Sequence, residues 1–111
     1  MADISEETEQ KINQLQLFEQ SLQNVLIQKQ QFQSQLVELD SALEELEDKK
    51  EAYKIIGNIM VAVKKEELEE DLKSKKGIVE LRIKTLEKQE NQIREKAKKT
   101  QSEVMEGIGK R

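Results

Sequence analysis

The middle of the chain, residues 53–63, reads Tyr-Lys-Ile-Ile-Gly-Asn-Ile-Met-Val-Ala-Val and is rich in apolar and β-branched side chains. Such side chains favour strands, and a Gly-Asn pair stands near the centre of the run. Gly57 followed by Asn58 suits a two-residue type II′ turn, because glycine takes a positive φ at the first central position without strain. We therefore predict a β-hairpin in which Ile56 faces Ile59 and Ile55 faces Met60.

In this predicted hairpin, cross-strand partners share a face, and successive pairs lie on opposite faces. Apolar residues occur in both sets of pairs, so both faces of the hairpin are predicted to be apolar. A lone two-stranded hairpin is marginal in water, and its unpaired edges offer hydrogen bonds to another chain. We expect it to join a larger sheet in an oligomer rather than to fold down onto its own helices. The oligomerisation residues predicted on this basis are Tyr53, Ile55, Ile56, Gly57, Asn58, Ile59, Met60, Val61 and Val63.

The segment before the hairpin, residues 1–52, predicts an N-terminal coiled-coil arm. Apolar residues recur there at steps of three and four, with Lys29 and Lys50 as polar breaks, and this spacing is typical of a coiled-coil seam. Ser5, or Asp3 together with Glu6, is suited to cap the start of the helix. The predicted seam positions are Leu15, Phe18, Leu22, Val25, Lys29, Phe32, Leu36, Leu39, Leu43, Leu46, Lys50 and Tyr53.

The segment after the hairpin, residues 64–111, predicts a C-terminal arm with the same spacing but more polar positions. Gly77 lies inside this helix, where glycine costs about 1 kcal/mol relative to alanine. We expect residues 107–110 to form a frayed tail. The seam positions of this arm are Leu72, Lys76, Val79, Ile83, Leu86, Glu90, Ile93, Ala97, Thr100 and Val104.

The two arms are similar in length and opposite in charge. Residues 1–53 contain 12 acidic and 4 basic side chains, whereas residues 64–111 contain 14 basic and 11 acidic ones. Opposite charges favour pairing of the arms within one chain, although each exposed ion pair contributes little to stability. The predicted fold is mainly α: a long antiparallel two-helix coiled coil joined by a single β-hairpin over residues 53–63.

Composition argues against enzymatic chemistry. The chain of 111 residues has no cysteine and no histidine, so thiolate nucleophiles, the usual zinc ligands and the commonest proton-transfer side chain are missing. Carboxylates such as Glu44, Glu45, Glu66 and Glu67 are expected to be solvated charges on helices. We predict no catalytic residues, no cofactor and no metal site.

The location and the binding of other macromolecules are also constrained. No apolar run reaches the roughly 20 residues that span a bilayer, and the acidic start does not resemble a signal peptide, so we expect a cytoplasmic protein without membrane contact. Nucleic-acid binding is an alternative suggested by basic residues near the C-terminus. The net charge of −4 and the scarcity of aromatic side chains count against it. The basic residues concerned are Lys96, Lys98, Lys99, Lys110 and Arg111.

Apolar side chains gather at the ends of the two arms, several of them outside the seam. Such a group, which includes Met and Leu, suits loose binding of apolar polypeptide segments. The alternative is a passive coiled-coil scaffold or tether that has the same fold and binds no clients. The predicted client-binding residues are Ile4, Ile12, Leu15, Leu17, Phe18, Val104, Met105 and Ile108.

The whole chain resembles the β-type subunits of the archaeal prefoldin family. The resemblance is carried by residues 53–61 of the hairpin, by Lys-Glu-Glu-Leu at residues 65–68 and by Leu-Arg-Ile-Lys-Thr-Leu-Glu-Lys-Gln-Glu at residues 81–90. This chain has one predicted hairpin and in this respect resembles the β-type subunits, since α-type subunits have two hairpins in a longer central segment.

The resemblance implies a hexamer of two α-type and four β-type subunits (α2β4), in which the hairpins assemble into an oligomeric β-barrel platform and the coiled coils project from it. It also implies an ATP-independent chaperone, a holdase that captures non-native polypeptides at the coiled-coil tips and transfers them to a group II chaperonin. The expected partners are therefore an α-type prefoldin subunit, other β-type copies, unfolded client proteins and the chaperonin, with no nucleic acid and no membrane.

Overall fold

A computed structural model describes residues 5–109 of the chain. It contains two long helices, α1 (Glu6–Glu47) and α2 (Lys65–Gly109), and between them two strands, β1 (Ala52–Ile56) and β2 (Ile59–Val63). This arrangement confirms the predicted fold of two long helices with a single antiparallel hairpin. The described residues form two compact units, which we name the terminal unit (residues 5–29 and 85–109) and the central unit (residues 30–84).

Helix α1 begins with a side-chain cap. The Thr8 backbone N–H donates a hydrogen bond of 3.2 Å to Ser5 Oγ, and the Ser5 hydroxyl donates one of 2.9 Å to Thr8 Oγ1. Glu6, Glu7 and Glu9 follow in the first turn, where negative charge stabilises the positive end of the helix dipole. Capping by Ser5 is thus confirmed, while the alternative residue Asp3 lies outside the described residues.

The end of α1 corrects one prediction. The helix stops at Glu47, so Lys50 and Tyr53 do not extend its seam. Tyr53 instead pairs with Ala62 in the hairpin, because the neighbouring β-branched residues gain a partner strand there. The side chain of Lys65 donates a hydrogen bond of 2.9 Å to the backbone carbonyl of Glu47, which places a cation at the negative end of the α1 dipole.

The hairpin has the predicted register. Ile56 pairs with Ile59 and Ile55 with Met60 in an antiparallel ladder. Gly57 has a φ of 61°, and no other type of residue among those described has a positive φ. A positive φ at Gly57 combined with a negative one at Asn58 is the geometry of a type II′ turn, so the predicted turn is confirmed.

The predicted seam positions within the helices are withdrawn from solvent in each unit. In the terminal unit Val25, Leu86 and Val104 are buried, and the other seam residues there are at most half-exposed. Thr8 and Thr100 are buried as well, so short polar side chains occupy part of this seam. The heptad pattern therefore identified the contact face of each helix.

The central unit combines apolar seam contacts with charged ones. Val79 and Ile83 of α2 are buried, and the guanidinium of Arg82 lies 5.5 Å from the centre of the Phe32 ring. Lys76 Nζ lies 2.7 Å from Asp40 Oδ1, and this contact raises the pKa of Lys76. The polar seam position at Lys76 thus has a partner on the facing helix.

Helix α2 continues through its glycines. Gly77 lies inside the helix, and α2 extends to Gly109, so the expectation of a frayed tail at residues 107–110 is wrong for residues 107–109. Among residues 5–109, neither helix is both long enough and apolar enough to cross a membrane.

Candidate interaction surfaces

The hairpin presents a cluster of exposed apolar side chains near its turn. Ile55, Ile59 and Met60 are 70%, 66% and 66% exposed, values that are high for large apolar residues. Tyr53 and Ile56 are also more than half-exposed. These five residues, which we name the hairpin patch, all belong to the set predicted for oligomerisation.

The base of the hairpin is anchored within the central unit. Ala52 is buried and its partner Val63 is half-buried. Lys54 Nζ lies 4.0 Å from Asp71 Oδ2 on α2, although both side chains are nearly half-exposed and contribute little stability. Of the remaining predicted oligomerisation residues, Val61 is exposed and Gly57 and Asn58 form the turn. The anchored base leaves the hairpin patch uncovered by residues 5–109.

The side chain of Tyr53 has a polar end at the margin of this patch. Its hydroxyl donates a hydrogen bond of 3.0 Å to the carboxylate of Glu51. That hydrogen bond and the nearby negative charge raise the pKa of Tyr53, so the phenol stays neutral as a donor. Tyrosine is a residue type enriched at protein interfaces, because it combines an apolar ring with a polar hydroxyl.

A second group of exposed apolar residues lies in the terminal unit, at the tip, which we define as residues 5–20, around the start of α1, and residues 97–109 of α2. Leu17 and Met105 are 62% and 65% exposed, and Ile108 is also exposed. These three residues, named the tip patch, were among those predicted to bind clients. Of the other predicted residues, Ile12 is half-buried, and Ile4 lies outside the described residues.

Three of the predicted client-binding residues are also seam residues of the tip, as the heptad spacing predicts. Val104 is buried, and Leu15 and Phe18 are half-buried. Their side chains lie on the contact face of the helices in this unit and are less exposed than those of the tip patch. The accessible part of the predicted set is therefore the tip patch.

The helices of the tip are in contact through short side chains and through the ion pair of Lys11 with Glu103. A Cβ atom placed on Gly107 would lie 2.6 Å from Thr8 Oγ1, so any other residue here would force the Thr8 side chain to move. Lys11 Nζ lies 2.9 Å from Glu103 Oε2. The hydrogen bond between them raises the pKa of Lys11 and lowers the pKa of Glu103.

Sequence reasoning missed a pairing between two polar seam positions. Lys29 and Glu90 interrupt the two apolar seams, and in the terminal unit they meet at 2.9 Å. The sequence did contain a signal that predicts this contact. Lys29 is four seam positions after Leu15, and Glu90 is four seam positions before Val104. Equal spacing from the tip places the two breaks opposite each other in an antiparallel pair.

Exposed apolar residues on the arm of the central unit were also missed. Val37, Ile78 and Leu81 are all more than half-exposed. They lie outside the seam, and Ile78 borders a shallow groove with Leu39 and Val79. Scattered surface residues of this kind are ordinary in folded proteins. They therefore provide control positions for substitutions in the two patches.

The comparisons with known proteins agree on one family. Residues 9–111 match the family described as prefoldin subunit. The β subunit of prefoldin from Archaeoglobus fulgidus is 38% identical over 107 residues, which cover 94% of this chain and 92% of the relative. The β subunit from Pyrococcus abyssi is 34% identical over 111 residues, covering 97% and 95%.

A solved structure has the same fold. The crystal structure of the prefoldin β subunit from Thermococcus strain KS-1 matches with a TM-score of 0.91 and 32% identity, covering 97% of each chain. Two long helices joined by one β-hairpin with an uncovered apolar patch define a helical-hairpin subunit. The chain belongs to the prefoldin subunit family, which confirms the resemblance in the sequence to the archaeal β-type.

Proposed function

We propose that this chain is a chaperone subunit that assembles through its hairpin and holds non-native polypeptides at its tip without using ATP. Membership of the prefoldin family is consistent with a chaperone subunit. The observation that carries the proposal is that the hairpin patch and the tip patch, which belong to different units, each expose large apolar side chains. Two separate patches allow one to assemble the particle while the other stays available to clients.

Assembly through the hairpin follows from what the chain leaves uncovered. The hairpin patch includes Ile55, Ile59 and Met60, and β1 and β2 have only each other as partners among the described residues. Pairing with hairpins of other prefoldin subunits would satisfy the strand edges and bury this apolar area. The proposed particle is an α2β4 hexamer with a β-barrel platform, in the cytoplasm.

Client holding at the tip follows from the chemistry of the tip patch. Leu17, Met105 and Ile108 offer exposed apolar side chains, and the unbranched methionine adapts to many apolar segments. Each tip is small, so its affinity for a client is weak. Several tips of one particle that contact one client raise the effective concentration and make the holding useful. The held client then passes to a group II chaperonin.

The experiment compares two pairs of substitutions that are matched in exposure. Leu17→Ser with Met105→Ser removes residues of the tip patch that are 62% and 65% exposed. Val37→Ser with Ile78→Ser removes residues of the central unit that are 65% and 52% exposed. Each variant is assembled with an α-type subunit, its mass and helicity are verified, and suppression of aggregation of a chemically unfolded client is measured.

The proposal expects the tip variant to need about tenfold more particle for half-protection of the client, because weak contacts multiply over several arms. The central-unit variant should protect as well as the unchanged chain. If both variants protect equally well, the tip patch does not bind clients, and the subunit is the passive scaffold of the alternative interpretation.

A further inference from the structure

One charged contact lies inside the apolar seam of the terminal unit. Lys29 on α1 and Glu90 on α2 occupy seam positions and face each other, with Nζ to Oε1 at 2.9 Å. Their side chains are only 22% and 15% exposed. The neighbouring seam residues Val25 and Leu86 are buried apolar side chains, so the ion pair lies within an otherwise apolar stretch.

The carboxylate of Glu90 has a second cationic partner. Arg94, one turn further along α2, contributes its Nε at 3.1 Å to the other carboxylate oxygen, Oε2. The hydrogen bond from Lys29, followed by the one from Arg94, lowers the pKa of Glu90. Both oxygens of the carboxylate therefore accept a charge-assisted hydrogen bond, which is the condition under which a half-buried charge is tolerated.

Other alignments of the helices would break this contact. A slip of one heptad would place Lys29 opposite Ile83 or Ala97, and Glu90 opposite Leu22 or Leu36, by the spacing of the seam. A charge that faces an apolar side chain without a partner is strongly unfavourable. Parallel pairing of α1 with α1 of a second copy would place Lys29 against Lys29. Each wrong arrangement carries a penalty that the native one avoids.

We propose that the Lys29–Glu90 layer, with Arg94 as its outer member, fixes the register of the two helices and makes the arms of one chain pair with each other. Polar seam layers in coiled coils specify register and partner at some cost in stability. An apolar seam residue can pack against the apolar residue of a neighbouring heptad if the helices slip. Lys29 and Glu90 would each lose their charged partner in such a slip. The layer is thus a pairing determinant, independent of whether the tip binds clients.

The proposal can be tested with a reporter of register at Thr8 and Gly107. A Cβ on Gly107 would lie 3.7 Å from the Cβ of Thr8, which is the separation found in disulfides. The chain has no cysteine of its own, so Thr8→Cys with Gly107→Cys introduces one clean pair. A slip of one heptad moves the two positions about 10 Å apart, beyond the reach of a disulfide.

The measurement is the effective concentration of the two introduced thiols for each other in the full chain, from equilibration in a glutathione buffer, together with the fraction of disulfide-linked dimers. The same reporter is placed in the unchanged background, in Lys29→Glu, in Lys29→Glu with Glu90→Lys, and in Lys29→Leu with Glu90→Leu. Lys88→Glu, a charge reversal at an exposed position of α2, is the matched control.

We expect Lys29→Glu to lower the effective concentration about tenfold and the double reversal to recover only part of the loss, because a lysine at position 90 would lie beside Arg94. The double leucine variant should melt at an equal or higher temperature and yet give more slipped or intermolecular species, which separates specificity from stability. The control should match the unchanged chain. If the double leucine variant keeps the native effective concentration and forms no additional dimers, or if Lys29→Glu has no effect, the proposal is wrong.

Discussion

Gly107 of α2 approaches Thr8 of α1 so closely that a Cβ atom on the glycine would lie 2.6 Å from the threonine Oγ1. The hydroxyl of Ser5 donates to that same oxygen at 2.9 Å, so the threonine side chain cannot turn away without losing the contact. The contact explains why a glycine is placed near the end of a long helix that otherwise favours alanine.

Substitution of Gly107 by alanine is expected to lower the thermal stability of the chain, because the steric conflict with Thr8 outweighs the gain in helix propensity. Gly77→Ala is the matched control, since nothing lies within 4 Å of its Cβ position. There we expect stabilisation by about 1 kcal/mol. Thermal unfolding followed by circular dichroism measures both, and in a Thr8→Ala background Gly107→Ala should become stabilising. Equal stabilisation by both glycine substitutions would contradict the close contact.

Closing the tip covalently should leave client binding intact. The disulfide between cysteines introduced at positions 8 and 107 keeps the helices paired, while Leu17 and Met105 remain exposed. We therefore expect the oxidised and reduced forms of the assembled variant to suppress client aggregation equally. If oxidation abolishes protection, clients enter between the helices, and the seam residues Leu15, Phe18 and Val104 are the binding residues instead.

The contribution of Glu90 to stability should depend on pH in one direction. Lys29 and then Arg94 lower the pKa of Glu90 below its ordinary value of 4.5 in the folded state. The stabilisation is therefore present above the ordinary value and is lost as the pH falls through the lowered pKa. Glu90→Gln should melt below the unchanged chain at neutral pH, and this difference should shrink at an acidic pH below the lowered pKa of Glu90, where both side chains are neutral.

Glu87→Gln provides the control for that comparison, because Glu87 is exposed on the same helix. Its melting temperature should follow that of the unchanged chain at both pH values. A difference between Glu90→Gln and the unchanged chain that is the same at both pH values would show that the charge of Glu90 does not stabilise the fold.

The turn of the hairpin gives a prediction on assembly. Gly57 has a φ of 61°, which costs a residue with a Cβ roughly 1–2 kcal/mol. Gly57→Ala should weaken the hairpin and raise the subunit concentration needed for assembly about tenfold, while the helical signal stays unchanged. Asn58→Ala is the control, because its φ is negative and alanine fits. Light scattering over a dilution series measures both, and equal assembly of the two variants would contradict this role of the turn.

The parts of the fold that sequence predicts well are those with a local signal. The seam from Leu15 to Leu46 follows from heptad spacing, since burial in a two-helix pair repeats with that period. The register of the hairpin follows from Gly57, because one residue with a positive φ fixes a two-residue turn. The end of α1 was missed because Tyr53 satisfies both the heptad spacing and a strand, and only pairing with Ala62 decides between them.

The candidate surfaces were predicted less completely, because exposure depends on contacts between distant residues. Lys29 and Glu90 are 61 positions apart, so their contact requires the alignment of both helices. Val104 was predicted both as a seam position and as a client-binding residue, and it is buried in the seam. Leu17 and Met105 were identified because they fall outside the heptad positions.

The central claim is that the hairpin patch assembles the particle, and native mass spectrometry of the chain mixed with an α-type prefoldin subunit tests it most directly. The unchanged chain and Val37→Asp, an exposed apolar residue of the arm, should both give the mass of an α2β4 hexamer. Ile59→Asp, in the hairpin patch, should give only smaller species while its helices remain folded by circular dichroism. A full hexamer formed by Ile59→Asp at the same subunit concentration would contradict the claim.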